Sequence, residues 1–206
     1  MKQPVGVILA GGQATRMGGG DKGLLRLGGQ SLLSRVIARL DPQVAGLALN
    51  ANGAPERFAD FGLPVCADSV PGFAGPLAGV LAGLDWAAAR GADTVVTAAA
   101  DTPFFPCDLV PRLMAAAEGM DHPLVLAATP DPVKTQVRHP TFGLWPVTLR
   151  NDLRAALQEG LRKVVLWTDR HDGRLALFPV TGIDPFFNVN TPEELARAEA
   201  LVEQTA

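Results

Sequence analysis

Val5-Gly6-Val7-Ile8-Leu9-Ala10-Gly11-Gly12-Gln13-Ala14-Thr15-Arg16-Met17-Gly18-Gly19-Gly20-Asp21-Lys22-Gly23 joins an apolar run of strand length to a long glycine-rich loop. Residues 5–9 read as a buried first strand. In the loop, glycine removes the Cβ that would keep a ligand away, so backbone N–H groups can converge on an anion. Arg16 and Lys22 add positive charge to the same stretch, which makes it a cradle for a polyphosphate. Two familiar phosphate loops do not fit. The Walker pattern needs Ser or Thr after its lysine, and Gly23 follows Lys22. The dinucleotide G-x-G-x-x-G fingerprint needs a helix to open at once, whereas this loop runs on.

Outward from this segment, short β-branched runs alternate with amphipathic stretches, the pattern of βαβ units around a mostly parallel sheet, so the fold class is α/β. Ser31 is positioned to cap a helix whose Leu32, Leu33, Val36, Ile37 and Leu40 share one face, and Asp41-Pro42 ends it. Strands are predicted at 45–50, 63–67 and 94–100, with an alanine-rich helix at 76–90 that carries proline in its first turn. Helices are predicted at 106–120 and 151–159, extended segments at 124–128 and 141–146, and a last strand at 186–190. Thr191-Pro192-Glu193-Glu194 is a capping box that opens a final helix running to about residue 202.

The composition narrows the function. The chain has 206 residues, 48% hydrophobic and 19% charged, with no repeat or low-complexity tether, which predicts one domain over 1–206. A net charge of -3 leaves no broad basic surface for a nucleic-acid backbone. The apolar run before Gly11 is too brief to span a membrane and lacks the architecture of a secretion signal. Cys66 and Cys107 are too few for a disulfide scaffold and lack metal-ligand spacing, which suits a reducing cytosol, so a cytoplasmic location is expected.

Asp68 and Asp101 each follow an apolar strand, so a parallel sheet would bring both to its carboxyl edge, where ligands bind. Two carboxylates beside a polyphosphate loop suit a Mg²⁺ ion, which is held by a few hard oxygens and substrate phosphates. Either aspartate alone is equally readable as a turn former, with Ser69 after one and Thr102-Pro103 after the other. Gly75-Pro76-Leu77-Ala78-Gly79 offers free amides at a helix start, or simply a turn. Asn50 and Asn52 end the second strand, and Asn188 and Asn190 share one side of the last; paired amides can read a base or a ribose. His139-Pro140 and Arg162-Lys163 read as structural or solvated features. No histidine stands in a motif that would activate a cysteine. The pattern instead suits nucleotidyl transfer, in which the protein positions two substrates and neutralises phosphate charge.

Together these residues resemble the molybdenum cofactor guanylyltransferases. The resemblance runs through Leu9-Ala10-Gly11-Gly12, Arg16-Met17-Gly18-Gly19, Asp21-Lys22-Gly23-Leu24-Leu25, Asn50-Ala51-Asn52, Asp68-Ser69, the 75–79 segment, Asp101-Thr102-Pro103, His139-Pro140 and Phe187-Asn188-Val189-Asn190-Thr191-Pro192-Glu193-Glu194-Leu195. It implies a three-layer α/β/α Rossmann-like nucleotidyltransferase fold. It also implies transfer of GMP from GTP to Mo-molybdopterin, with pyrophosphate released and Mg²⁺ required. By the same resemblance Leu9, Ala10, Gly11, Gly12, Lys22, Asn50, Asp68 and Asp101 would bind GTP, and Asp68 and Asp101 the metal. Arg16, Gly19, Leu77, Gly79, Asn188 and Asn190 would face the pterin, and Lys22, Asp101 and Arg16 would serve the chemical step. Transient contact with molybdoenzymes or their chaperones is a further implication.

Leu161-Arg162-Lys163 departs from the family pattern, and residues 129–138 carry little of it, so acceptor contacts there are left unassigned. Two other readings stay open: a cytidylyltransferase acting on the same pterin or another phosphorylated small molecule, and a nucleotide or cofactor carrier without turnover.

Overall fold

The computed structural model describes residues 1–11, 21–70, 72 and 75–203. Its frame is a seven-stranded sheet built from β1 (Val5–Leu9), β4 (Leu47–Asn50), β5 (Val65–Cys66), β6 (Thr94–Ala99), β7 (Val125–Asp131), β8 (Thr135–Pro146) and β9 (Arg174–Leu177). The spatial order is β5-β4-β1-β6-β8-β7-β9. The first four run parallel; β8 is antiparallel to both β6 and β7, and β9 is parallel to β7. A small antiparallel pair, β2 (Arg26–Leu27) and β3 (Gln30–Ser31), lies apart from this sheet.

Side chains alternate across β1, so it feeds two cores. Ile8 packs with Leu33, Val36 and Leu40 of α1 (Leu32–Leu40) and with Leu109, Val110 and Leu113 of α3 (Leu109–Ala116). Val5 and Val7 face the opposite way. They pack with Val80, Leu81 and Leu84 of α2 (Pro76–Ala88), and the same core holds Leu153 and Leu157 of α4 (Arg150–Gln158) and Trp167 of α5 (Val164–Arg170). Helices thus cover both faces, the three-layer arrangement expected for a parallel sheet. A satellite core joins Leu27, Leu32 and Val189 to Ala198 of α6 (Pro192–Glu203).

The caps read from the sequence form. The Ser31 hydroxyl accepts from the Ser34 N–H at 3.0 Å, and the Thr191 hydroxyl accepts from Glu194 N–H while the Glu194 carboxylate accepts from Thr191 N–H. Residues 186–190, expected as a strand, are not one. Their N–H groups serve turns and caps instead: Phe187 donates to Asp184 O at 3.1 Å, Val189 to Asp101 O at 2.8 Å, and Asn190 to the Glu194 carboxylate at 2.7 Å. The alternation that imitated a strand arises because Phe186 enters the main core and Val189 the satellite one. The helix expected at 106–120 is shorter, ending before Gly119, which takes a positive φ. β7 and β8 run well past their expected ends, joined by a turn in which the Asp131 carboxylate accepts from the N–H groups of Val133 and Lys134.

Candidate active site

The parallel register decides which residues meet. Leu9 stands opposite both Asn50 and Ala99, and Asn50 opposite Cys66, so four strands end on one row. The ladder continues one step: Ala10 N–H donates to Asn50 O, Ala51 N–H to Cys66 O and Ala100 N–H to Leu9 O. Residues just beyond these, namely Gly11, Asn52, Asp68 and Asp101, must therefore rim a common cleft. From β1 the sheet grows to β4 on one side and β6 on the other, the point where such cleft sites open. A cavity of about 560 Å³ occupies it, lined among others by Gly11, Lys22, Asn50, Asp68 and Asp101. That volume suits a small ligand such as a nucleotide.

Asp68 is gripped by amides. Its carboxylate accepts from Asn50 Nδ2 at 2.9 Å and from Asn52 Nδ2 at 2.8 Å, while its own N–H donates to Asn52 Oδ1 at 2.8 Å. The next residue anchors the loop on the helix layer: Ser69 Oγ donates to Asp85, which Arg154 also grips with one nitrogen 2.7 Å from both carboxylate oxygens. Gly79 makes room for this clamp. A Cβ at that helical position would lie 2.3 Å from Asn50 Oδ1 and 2.8 Å from Leu9 Cδ2. Gly75, at the N-cap of α2, holds φ of 133°, a conformation open to glycine.

Lys22 stands on the opposite rim. Its Nζ donates to Asn190 Oδ1 at 2.6 Å and lies 3.6 Å from the Asp101 carboxylate. Burial pushes the Asp101 carboxyl above its ordinary range, against the pull of the Lys22 ammonium and the Thr102 hydroxyl. A second cavity, of about 430 Å³, adjoins this point: Asn188, Asn190, His139, Asp184 and Arg138 line it, and Thr141 lines both cavities. His139 stacks on Phe186 with centroids 4.2 Å apart and bonds Thr129 through Nε2 at 3.0 Å. Burial lowers its pKa, partly opposed by the Asp184 charge. Thr102 Oγ1 donates to Asn188 Oδ1 at 2.5 Å, tying the 184–190 loop to the end of β6.

Of the residues expected from the sequence, Leu9, Ala10, Gly11, Lys22, Asn50, Asp68 and Asp101 all line the first cavity, and Asn188 and Asn190 line the second. Leu77 and Gly79 line neither; they are buried in α2 against the sheet, and packing accounts for both. Gly12, Arg16 and Gly19 lie outside the described residues. His139, read as merely structural, forms part of a cavity wall. Arg162 caps the end of α4 by donating to Leu157 O and Leu161 O, as a structural role predicts. Cys66 is half-buried with its thiol pushed up by burial, which suits no nucleophile. Sequence reasoning missed Arg57, Thr141 and Asp184, which carry no local signature, and read Thr102 only within the Asp101-Thr102-Pro103 motif, without its bond to Asn188.

The donors of Asp101 fit a hard cation. Its carboxylate is largely shielded from water, yet its partners are distant, at 3.6 Å from Lys22 and 3.3 Å from the Thr102 hydroxyl. Asp68 has already given each oxygen to an amide donor and has only its remaining lone pairs to offer. No group of three or more metal-ligating side chains occurs among the described residues, so an ion here would draw further oxygens from substrate phosphates. No helix among those residues is long and apolar enough to cross a membrane.

Comparison with known proteins agrees with this geometry. Residues 6–173 match the family model of the MobA-like NTP transferase domain. The molybdenum cofactor guanylyltransferase of Bradyrhizobium sp. (strain ORS 278) is 54% identical over 199 residues, covering 95% of this chain and 92% of the relative. That of Cereibacter sphaeroides is 51% identical over 201 residues, covering 98% of both. Among solved structures, molybdopterin-guanine dinucleotide biosynthesis protein A from Archaeoglobus fulgidus superposes with a TM-score of 0.74 at 22% identity, covering 97% of this chain and 99% of that one. The 4-diphosphocytidyl-2C-methyl-D-erythritol synthase of Anaerococcus prevotii gives 0.75 at 14% identity, covering 98% and 96%, and shares the fold. Near-complete coverage at about half identity, with a family model matched over most of the chain, settles the kinship: the chain is a nucleotidyltransferase and belongs to the molybdenum cofactor guanylyltransferase family.

Proposed function

We propose that the chain transfers GMP from GTP to Mo-molybdopterin, giving molybdopterin guanine dinucleotide and pyrophosphate. The observation that carries this reading is the position of Lys22, whose ammonium contacts Asp101 in one cavity and Asn190 at the wall of the next. A cation at the joint of two cavities is suited to a reaction in which two phosphates meet. The names of the close relatives support guanosine as the nucleoside and the pterin as the acceptor.

In this reading a terminal oxygen of the acceptor phosphate attacks the α-phosphorus of GTP. A new P–O bond forms, the bond from the α-phosphorus to the bridging oxygen breaks, and the electron pair leaves with pyrophosphate. The attacking phosphate is already ionised, so no side-chain base takes a proton. Lys22 neutralises charge where the two phosphates approach, and the amides of Asn50 and Asn52 hold Asp68 rigid at the nucleotide side. Thr102 holds Asn188 at the acceptor side. Mg²⁺, held by Asp101 and the substrate phosphates with Asp68 nearby, would supply further neutralisation of phosphate charge. Arg16 and Gly19 would complete the pterin side. The reading extends to a cytoplasmic setting and to transient contacts with molybdoenzymes or their chaperones.

The test is incubation with Mg²⁺, molybdenum-loaded pterin and each nucleoside triphosphate in turn, followed by mass measurement of the product. A GMP adduct with pyrophosphate is expected, with GTP favoured over CTP by at least about tenfold in kcat/KM. Equal use of CTP would favour the cytidylyl alternative, and binding without turnover the carrier.

A further inference from the structure

Arg57 lies in the short 3-10 segment Pro55–Phe61 that follows the Asn52 clamp, and its guanidinium faces three ways. Nε donates to Asp21 Oδ2 at 2.6 Å, Nη2 to Asn52 O at 2.6 Å, and Nη1 to Ala54 O. The group also sits 4.5 Å above the centre of the Phe58 ring. Both members of the ion pair are partly buried, with side chains 26% and 19% exposed, so solvent screens the pair only in part.

These contacts connect two things the site needs at once. Asn52 holds the Asp68 carboxylate with its side chain, and its carbonyl is held by Arg57. Asp21 immediately precedes Lys22, and the tight turn of residues 22–24 returns to it, since Leu24 N–H donates to Asp21 O at 3.1 Å. Fixing the Asp21 side chain therefore fixes the root of the Lys22 side chain. That matters because a lysine stem is long and rotamerically free, and its charge stays at the reacting phosphates only if its base does not move. A chain of contacts then runs around the cleft from Asp68 through Asn52, Arg57 and Asp21 to Lys22 and Asp101.

We propose that Arg57 is a positioning residue, which ties the nucleotide clamp to Lys22 by bridging Asn52 and Asp21. The inference rests on the guanylyl-transfer reading only for its kinetic readout. Arginine is needed rather than lysine, because a planar fork reaches a carboxylate and two carbonyls together, which a point charge cannot.

The test is a mutant cycle with Arg57→Lys, Arg57→Ala, Asp21→Asn and Lys22→Ala. Each change at Arg57 or Asp21 should lower kcat/KM for GTP by about 10- to 100-fold, and lysine should not rescue Arg57. In the Lys22→Ala background the Arg57→Ala change should cost at least about threefold less than it does in the wild type, because the Lys22 arm of the tie is already gone and only the Asn52 arm remains. Full additivity there, or kinetics left intact beside a lower Tm, would overturn the proposal. Should Arg57→Ala fail to fold, Arg57→Lys and Asp21→Asn carry the same cycle.

A readout free of activity separates this inference from the function it serves. Amide hydrogen exchange over residues 21–25 of the unliganded protein should quicken by about tenfold in Arg57→Lys, with the α2 core unchanged. Unchanged exchange at 21–25 overturns the tie. Lack of product in the wild type, with exchange quickened in the variant, would instead overturn the transfer reading and leave the tie standing.

Discussion

The side of the cleft proposed for the nucleotide and the side proposed for the acceptor are built differently. Asn50 and Asp101 sit at or just past the ends of β4 and β6, and Asp68 just past β5, where parallel register fixes their height. Asn188 and Asn190 stand on a loop outside any ladder, held by individual bonds from Val189 N–H to Asp101 O, from Thr102 Oγ1 to Asn188, from Lys22 Nζ to Asn190 and from Asn190 N–H to Glu194, with Phe186 and Val189 set in two cores, and His139 stands on the β7–β8 hairpin beside a register shift. Groups at strand ends are placed by the ladder of a whole sheet, whereas these loop groups depend on individual long-range bonds and two core anchors. The first kind of placement survives single substitutions better, and the second permits a change of acceptor without disturbing the nucleotide pocket.

The largest expected effect breaks the nucleotide side. Asp101→Asn should cut kcat by about 100- to 1,000-fold while changing GTP affinity by less than about threefold, read from single-turnover kinetics beside equilibrium binding. A parallel fall of both would show that Asp101 merely binds. The same variant should be more thermostable without ligand. Burial raises the native pKa of Asp101 above the ordinary value of 3.8, so the native state binds its proton more tightly than the unfolded chain does. Native stability is therefore lost as pH rises from 3.8 through the raised value, and the asparagine variant escapes that loss. The Tm difference between variant and wild type should grow across that window and vanish below it; a constant difference would contradict the cause given.

A substitution on the other side should separate the two regions. Asn188→Ala should raise the KM for the pterin acceptor about tenfold and leave GTP affinity unchanged. Loss of GTP affinity would mean that the cavities are not independent. Gly79→Ala should do the reverse: its Cβ would press on Asn50 Oδ1, loosening the Asp68 clamp, with a stability cost of about 1–3 kcal/mol by chemical denaturation and weaker GTP binding. The smallest effect concerns His139. Burial lowers its native pKa, so stability is full above the ordinary value of 6.5 and falls as pH drops through the lowered value. His139→Gln should flatten that slope in Tm against pH, and an unaltered slope would place the titrating group elsewhere.

Much of this was legible in the residue order because register is a local matter. Apolar runs that end in Asn50, Asp68 and Asp101 needed only a parallel sheet to become one rim, and Ser31 and Thr191 marked their helices by cap chemistry alone. The acceptor side was less legible. Phe186 and Val189 imitated strand alternation while serving two separate cores, and the β7–β8 hairpin drew its length from cross-strand pairing. Arg57 gave no sign, since a lone arginine between Pro55 and Phe58 gains meaning only when Asp21 is brought to it from 36 positions away. Gly79 entered as a pterin contact through the family resemblance alone, and its close approach to Asn50 is a separate demand for glycine that only the folded chain reveals.

A crystal structure with a non-hydrolysable GTP analogue and Mg²⁺ tests the central claim most directly. The account predicts the triphosphate between Gly11 and Lys22, its α-phosphorus turned toward Thr141 where the cavities meet, and the Asp101 carboxylate on the metal. A triphosphate pointing away from Thr141, or an Asp101 side chain remote from the ion, would contradict it.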